Sequence, residues 1–131
     1  MILVDSSVWI DYFNGRLTPK TNWLHSALGN QPILLGDLVL TEVLQGFQRD
    51  KDFKTAKNLL LNFPVEEMLG QELAIKSALN FRRLKKKGVT IGKTIDIIIG
   101  TFCLHNNYLL LHDDRDFEQL ENHLDLKAVK I

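Results

Sequence analysis

Asp5 interrupts an apolar run. In ILVDSSVWIDYF, residues 2–13, three apolar residues lead straight into it, and the apolar pattern resumes with Val8, Trp9 and Ile10. Glu42 breaks LVLTEVLQGF in the same manner, and Asp96 sits between isoleucines in TIDIIIG. A further set of acids, Asp113, Asp114 and Asp116, follows YLLLH. A carboxylate among apolar neighbours is costly to bury unless something compensates its charge. A helix N-terminus offsets only ~0.3–1 kcal/mol. Carboxylates brought together repel one another by a few kcal/mol per pair at an intermediate dielectric, and that repulsion pushes their pKa values up. A divalent cation is the economical compensation. An all-oxygen donor set suits Mg2+ or Mn2+ and argues against zinc, whose usual ligands are nitrogen and sulfur.

Taken singly, each acid has a simpler reading. Asp5 can cap the helix after it, as can Ser6 or Ser7. Glu42 can be a solvated helix residue, Asp96 a first-turn acid serving the helix dipole, and the acids after YLLLH an ordinary loop and cap. The case for chemistry rests on their shared placement. All of them occupy strand ends or helix starts, and in a parallel α/β fold those ends share the edge where ligands bind.

The elements that must position these acids follow from apolar spacing. Residues 1–5, 33–35 and 108–111 read as short buried strands, and 126–131 as an edge strand. Helices are expected over 7–13, from Thr18-Pro19 to Gly29, from Leu38 through Phe47, over 52–62 up to Pro64, and over 71–87. Thr94 is expected to cap a helix that is apolar nearly all round (Ile95, Ile97, Ile98, Ile99, Phe102, Cys103), which should therefore be central. A short helix over 116–122 completes the set, with Asp116 as its cap and Phe117 packed beneath. Strands alternating with helices predict an α/β fold, a parallel sheet covered by helices on both faces.

The whole chain sets bounds on this reading. Its 131 residues suit a single domain, 1–131, and a 45% hydrophobic content is enough for a core. The formal net charge is zero, so nucleic-acid binding would need a local basic patch or a bound cation. A single cysteine, Cys103, can form neither an internal disulfide nor a thiolate zinc cluster. No apolar run approaches the roughly 20 residues of a membrane span, and MILVDSS lacks the basic and apolar regions of a signal peptide. A cytoplasmic location is the expectation.

Four segments, in order, resemble the PIN domain, and within it the VapC-like toxins of type II toxin–antitoxin systems: VDSSVWIDYF, LTEVLQGF, GKTIDIIIGTFC and YLLLHDDRDFEQL. The resemblance implies a three-layer α/β/α fold and a Mg2+- or Mn2+-dependent endoribonuclease. It also implies a VapB-like antitoxin as partner, a homodimer, and a toxin–antitoxin hetero-oligomer. Carried over residue by residue, Asp5, Glu42 and Asp96 are an acidic triad, with Asp5 and Asp96 as primary metal ligands. Asp114 is the fourth acid, although HDDRDF leaves Asp113 and Asp116 as alternatives. Ser7 matches a position that supports the first acid by hydrogen bonding, and Thr94 is expected to hold the Asp96 loop. Lys93 and, further off, Arg82 and Arg83 are candidates for touching RNA. The alternative for the basic run at 82–87 is a solvated helix end. The early helices and part of 52–62 are expected near the dimer face or antitoxin groove. No histidine is placed as an obvious acid or base; His112 adjoins the acidic loop, and His25, His105 and His123 read as incidental.

Two enzyme classes that use a strand-end Asp as phosphate acceptor fit less well. Asp5-Ser6-Ser7 lacks the second Asp of a haloacid-dehalogenase-like phosphatase, and Glu42 lies in a helical stripe where a receiver domain would have a strand-end acceptor. A non-catalytic alternative is a PIN-like scaffold of weak activity that binds RNA or a protein partner.

Overall fold

In the structure, a computed structural model describing residues 1–131, four short strands pair in parallel. They are β1 (Ile2–Val4), β2 (Ile33–Gly36), β3 (Val65–Glu66) and β4 (Leu109–Leu111), in the spatial order β3-β2-β1-β4. β1 has a partner on each side, so its backbone groups are satisfied on both edges. Its side chains are covered above and below, with Leu3 and Val4 fully buried. That environment accounts for an unbroken apolar triplet where a half-exposed strand would alternate.

Parallel strands need crossovers, and helices supply them. The first group is α1 (Ser6–Phe13), α2 (Pro19–Ala27), α3 (Asp37–Gln45) and α4 (Asp50–Leu60), with α1 packed on α2 and α3, and α3 on α4. The second is α5 (Gln71–Lys86), α6 (Thr94–Asn106) and α7 (Arg115–Leu124), with α6 packed on both others. The result is the expected parallel sheet covered by helices. α2 opens with a reciprocal cap: Thr18 accepts the Thr21 N–H, the Thr21 hydroxyl accepts the Thr18 N–H, and Pro19 fills the first turn. α6 is central as expected, with Ile97, Ile99, Gly100, Phe102 and the free thiol Cys103 buried. It ends on Asn107 in the left-handed conformation, which turns the chain into β4.

The structure corrects the sequence reading in several places. β3 was not expected: Val65 is exposed and Glu66 half-buried, so a two-residue edge strand leaves no apolar signal. It exists because the Leu35 N–H takes the Pro64 carbonyl at 2.8 Å. Residues 126–131 form no edge strand, only a bridge between Leu110 and Ala128. The buried pair there, Leu126 and Val129, is three residues apart, and an extended chain puts i and i+3 on opposite faces. Thr94 does not cap α6. It is already helical, and the cap position falls on Lys93 with no side-chain bond.

Gly36 ends β2 and leads into α3 against the fully buried Met68. A Cβ on Gly36 would lie 2.6 Å from Met68 Cγ and 2.8 Å from Cε, with Sδ closer still. Gly36→Ala should therefore destabilise the protein by about 1–3 kcal/mol, read as a lower urea midpoint at unchanged slope.

Candidate functional site

Because all four strands run the same way, their carboxyl ends share one edge of the sheet, and the acids gather there. Asp5 follows β1 directly. Its backbone N–H reaches the Leu111 carbonyl at 2.9 Å, which ties it to the end of β4. Its Oδ2 accepts the Ser7 hydroxyl at 2.6 Å and the Ser7 N–H at 3.3 Å. Asp5 is thus the cap of α1, and it is also only 4% exposed at the sheet edge. Both bonds from Ser7 go to the same oxygen, Oδ2.

Glu42 projects from α3 and is half-buried. It accepts the Ser6 hydroxyl at 3.1 Å, a bond between residues 36 apart in the chain. Asp96 lies in the first turn of α6, 7% exposed, and no hydrogen bond supports its carboxylate. Asp114 is the cap of α7, accepting the Asp116 N–H at Oδ1 over 2.8 Å. The expectation that Asp116 would be this cap is corrected. The helix starts at Arg115, so the extended residue before it does the capping, and Asp116 instead accepts the Gly92 N–H at 3.3 Å. Asp113 is exposed.

The acids sense one another's charge. Burial pushes the Asp96 carboxyl up to about 7, and the charges of Asp5, Asp114 and Glu42 push in the same direction against the opposing pull of Lys93. Burial also raises Asp5, helped by Asp114 and opposed by the Ser7 and Ser6 hydrogen bonds. Glu42 is raised by burial and by Asp5, against the Ser6 hydrogen bond and Lys93. Asp5, Glu42, Asp96 and Asp114 therefore form one electrostatic neighbourhood, with Lys93 as its cation.

The donor chemistry of this neighbourhood, oxygen-only and short of positive charge, fits a hard divalent ion. No three acidic, histidine or cysteine side chains stand close enough together to hold one as they are placed, however. Three of the acids are engaged by hydrogen bonds instead: Asp5 with Ser7, Glu42 with Ser6 and Asp114 with the Asp116 N–H.

The basic residues divide. Arg82 and Thr94 line one groove of about 610 Å3 with Leu69, Phe81, Ile97 and Ile98, beside the start of α6. Arg83 lines a different groove, with Lys76, Asn80 and His105. Two further residues contact the candidate acids without having been singled out for it from the sequence. Ser6 holds Glu42, and His112, only 4% exposed, touches both Asp114 and Glu121. No local spacing pairs Ser6 with Glu42; His112 had one signal, its place between the last strand and the acids.

The raised Asp96 carboxyl fixes a sign for the pH dependence of stability. Between the ordinary carboxylate range and about pH 7, the folded protein holds a proton that the unfolded chain has released. Stability without metal therefore falls as pH rises through this window, and the cost is complete above about 7. The melting temperature in EDTA should rise on going from pH 8 to pH 6. Asp96→Asn should flatten that rise and melt higher than the wild type at pH 8.

Comparison with known proteins agrees with this architecture. The ribonuclease VapC11 of Mycobacterium tuberculosis is 23% identical over 137 residues, spanning 98% of this chain and 97% of its own. A VapBC2 structure from Rickettsia felis, bound to a DNA fragment from its promoter, superposes with a TM-score of 0.77 at 17% identity, over 98% of each chain. A toxin–antitoxin complex from Klebsiella pneumoniae superposes with a TM-score of 0.71 at 17% identity, over 99% of this chain and 97% of that one. The PIN domain family model matches residues 2–122, and the chain belongs to the PIN domain family.

Proposed function

We propose that this protein is a metal-dependent endoribonuclease and the toxin of a type II toxin–antitoxin pair, acting in the cytoplasm. The observation that carries the reading is the gathering of Asp5, Glu42 and Asp96, three acids from separate elements, at the carboxyl edge of a parallel sheet, where burial raises all three and the charge of Asp5 adds to the raising of Glu42 and Asp96. Such clustering of perturbed groups is characteristic of working sites. Family membership supports it, as do the printed functions of the relatives, a ribonuclease and a toxin–antitoxin complex. By the same likeness its partners are an RNA substrate, a VapB-like antitoxin and a second copy of itself.

Asp5 and Asp96 are the residues that would hold Mg2+, or Mn2+, with Glu42 and Asp114 completing the set. When bound, the divalent cation supplies charge stabilisation at the phosphoryl group and helps ionise the attacking water. Glu42, fixed by Ser6, orients that water or takes its proton for an in-line attack. Ser7 keeps Asp5 in its rotamer. Lys93, the cation that Asp96 and Glu42 both sense, holds the RNA phosphate. Arg82, and at greater distance Arg83, extend that contact along the backbone.

One observation favours the alternative, a catalytically weak scaffold that binds RNA or a protein: no three of the acids converge closely enough for a metal as they stand. Substitution separates the two readings. Asp96→Asn and Asp5→Asn keep size and, at residue 5, capping ability. Each should lower Mn2+ affinity and RNA cleavage by at least the ~10–100-fold typical of disturbing a metal site's supporting residues, with the fold intact by circular dichroism. An Asp96→Asn protein that cleaves RNA at the wild-type rate in saturating Mg2+ would sink the nuclease site.

Metal binding must also displace the proton that Asp96 holds near neutrality. Mn2+ affinity by calorimetry should rise from pH 6 to pH 8, and millimolar metal should raise the melting temperature. An affinity flat across that range would count against Asp96 as a ligand.

A further inference from the structure

His112 follows β4 immediately and lies two residues before Asp114. Its ring is buried and packs against the fully buried Phe117, with centroids 5.2 Å apart. Both of its nitrogens are engaged. Asp114 donates its backbone N–H to Nδ1 at 3.2 Å, and Nε2 lies 2.7 Å from Glu121 Oε2. A backbone N–H can only donate, so Nδ1 is the bare nitrogen and the ring proton sits on Nε2, given to Glu121. Three residues are thereby linked from α7 to the sheet edge: Glu121, His112, then the main chain of Asp114.

Asp114 is the one acid of its loop held from both sides. Its N–H goes to His112, and its carboxylate accepts the Asp116 N–H. Asp113 is exposed, and Asp116 is turned toward Gly92. With the Asp114 main chain fixed, its carboxylate stays near enough to Asp5 and Asp96 for both to sense it. We propose that His112 is a positioning residue: oriented by Glu121, it fixes the main chain of Asp114 and so selects this acid, among three candidates in its loop, to face the site. The proposal rests on the metal-site reading above. It makes Glu121, on the outer helix, the far end of the same support.

The test uses the intact protein with two readouts: Mn2+ affinity by calorimetry, and exchange protection of the Asp114 amide by NMR without metal. His112→Leu keeps bulk and removes the acceptor; His112→Asn places a carboxamide oxygen where Nδ1 was. Expected are loss of Asp114 amide protection and about tenfold weaker Mn2+ binding in His112→Leu, with both largely restored in His112→Asn. A purely structural role for the buried ring would leave the two variants equally impaired, and that result would overturn the proposal. So would wild-type binding by His112→Leu. Should His112→Leu fail to fold, the half-buried Glu121 decides. Glu121→Ala should weaken binding while Glu121→Gln, whose amide oxygen still accepts the Nε2 proton, should not; equal behaviour would overturn the link. Wild-type protein that shows Asp114 protection yet binds no Mn2+ would instead overturn the metal-site reading, and with it the proposed consequence of the His112 contact for the site.

Discussion

Like charges crowded at the end of a parallel sheet are the constraint around which this molecule is arranged. The sheet must be parallel and covered on both faces for β1 to consist of apolar residues alone, and once it is parallel its carboxyl ends coincide. Asp5 is then brought beside the loop after β4, and α3 and α6 add Glu42 and Asp96 from either group of helices. The burial that stabilises the core desolvates these carboxylates, and their proximity adds repulsion. The raised Asp96 carboxyl is the measure of both effects.

The surrounding structure reads as a set of responses to that stress. Ser7 binds Asp5 through its hydroxyl and its N–H, Ser6 binds Glu42, and the Asp116 N–H binds Asp114, each at a single carboxylate oxygen. Lys93 provides partial neutralisation from an exposed position, where its own charge remains solvated. Asp96 alone has no hydrogen bond, and it carries the largest perturbation of the group. An apolar residue in the same turn of α6 would be more stable, so Asp96 costs the fold stability where it stands.

Asp37 shows how the same sheet edge uses an acid for architecture. It stands one residue after β2, accepts the Leu38 N–H at 2.8 Å and the Met68 N–H at 3.1 Å, and so fastens the chain beyond β3 onto the start of α3. Strand-end position by itself therefore does not mark a catalytic acid. Asp37 is occupied by two main-chain donors, whereas Asp96 has no hydrogen bond and senses the charges of Asp5, Asp114 and Glu42.

The sequence by itself determined the class of fold, most of its elements and which acids interrupt apolar runs, because each of these is written in local patterns. Apolar triplets give buried strands, helical spacing gives the helices, and an acid inside an apolar run announces that something must compensate it. The two-residue β3 and the single bridge near Ala128 were decided by tertiary structure, since pairing partners and not side-chain pattern create them. So were the bond from Ser6 to Glu42 and the link from Glu121 through His112 to Asp114, which join residues that no periodicity relates. The choice of Asp114 over Asp116 as the cap of α7 turned on where the helix begins, a matter of one residue. Local interactions fix which side chains are present and on which element; only the packed chain, in which distant segments share limited hydrogen-bond donors, settles which way each carboxylate turns.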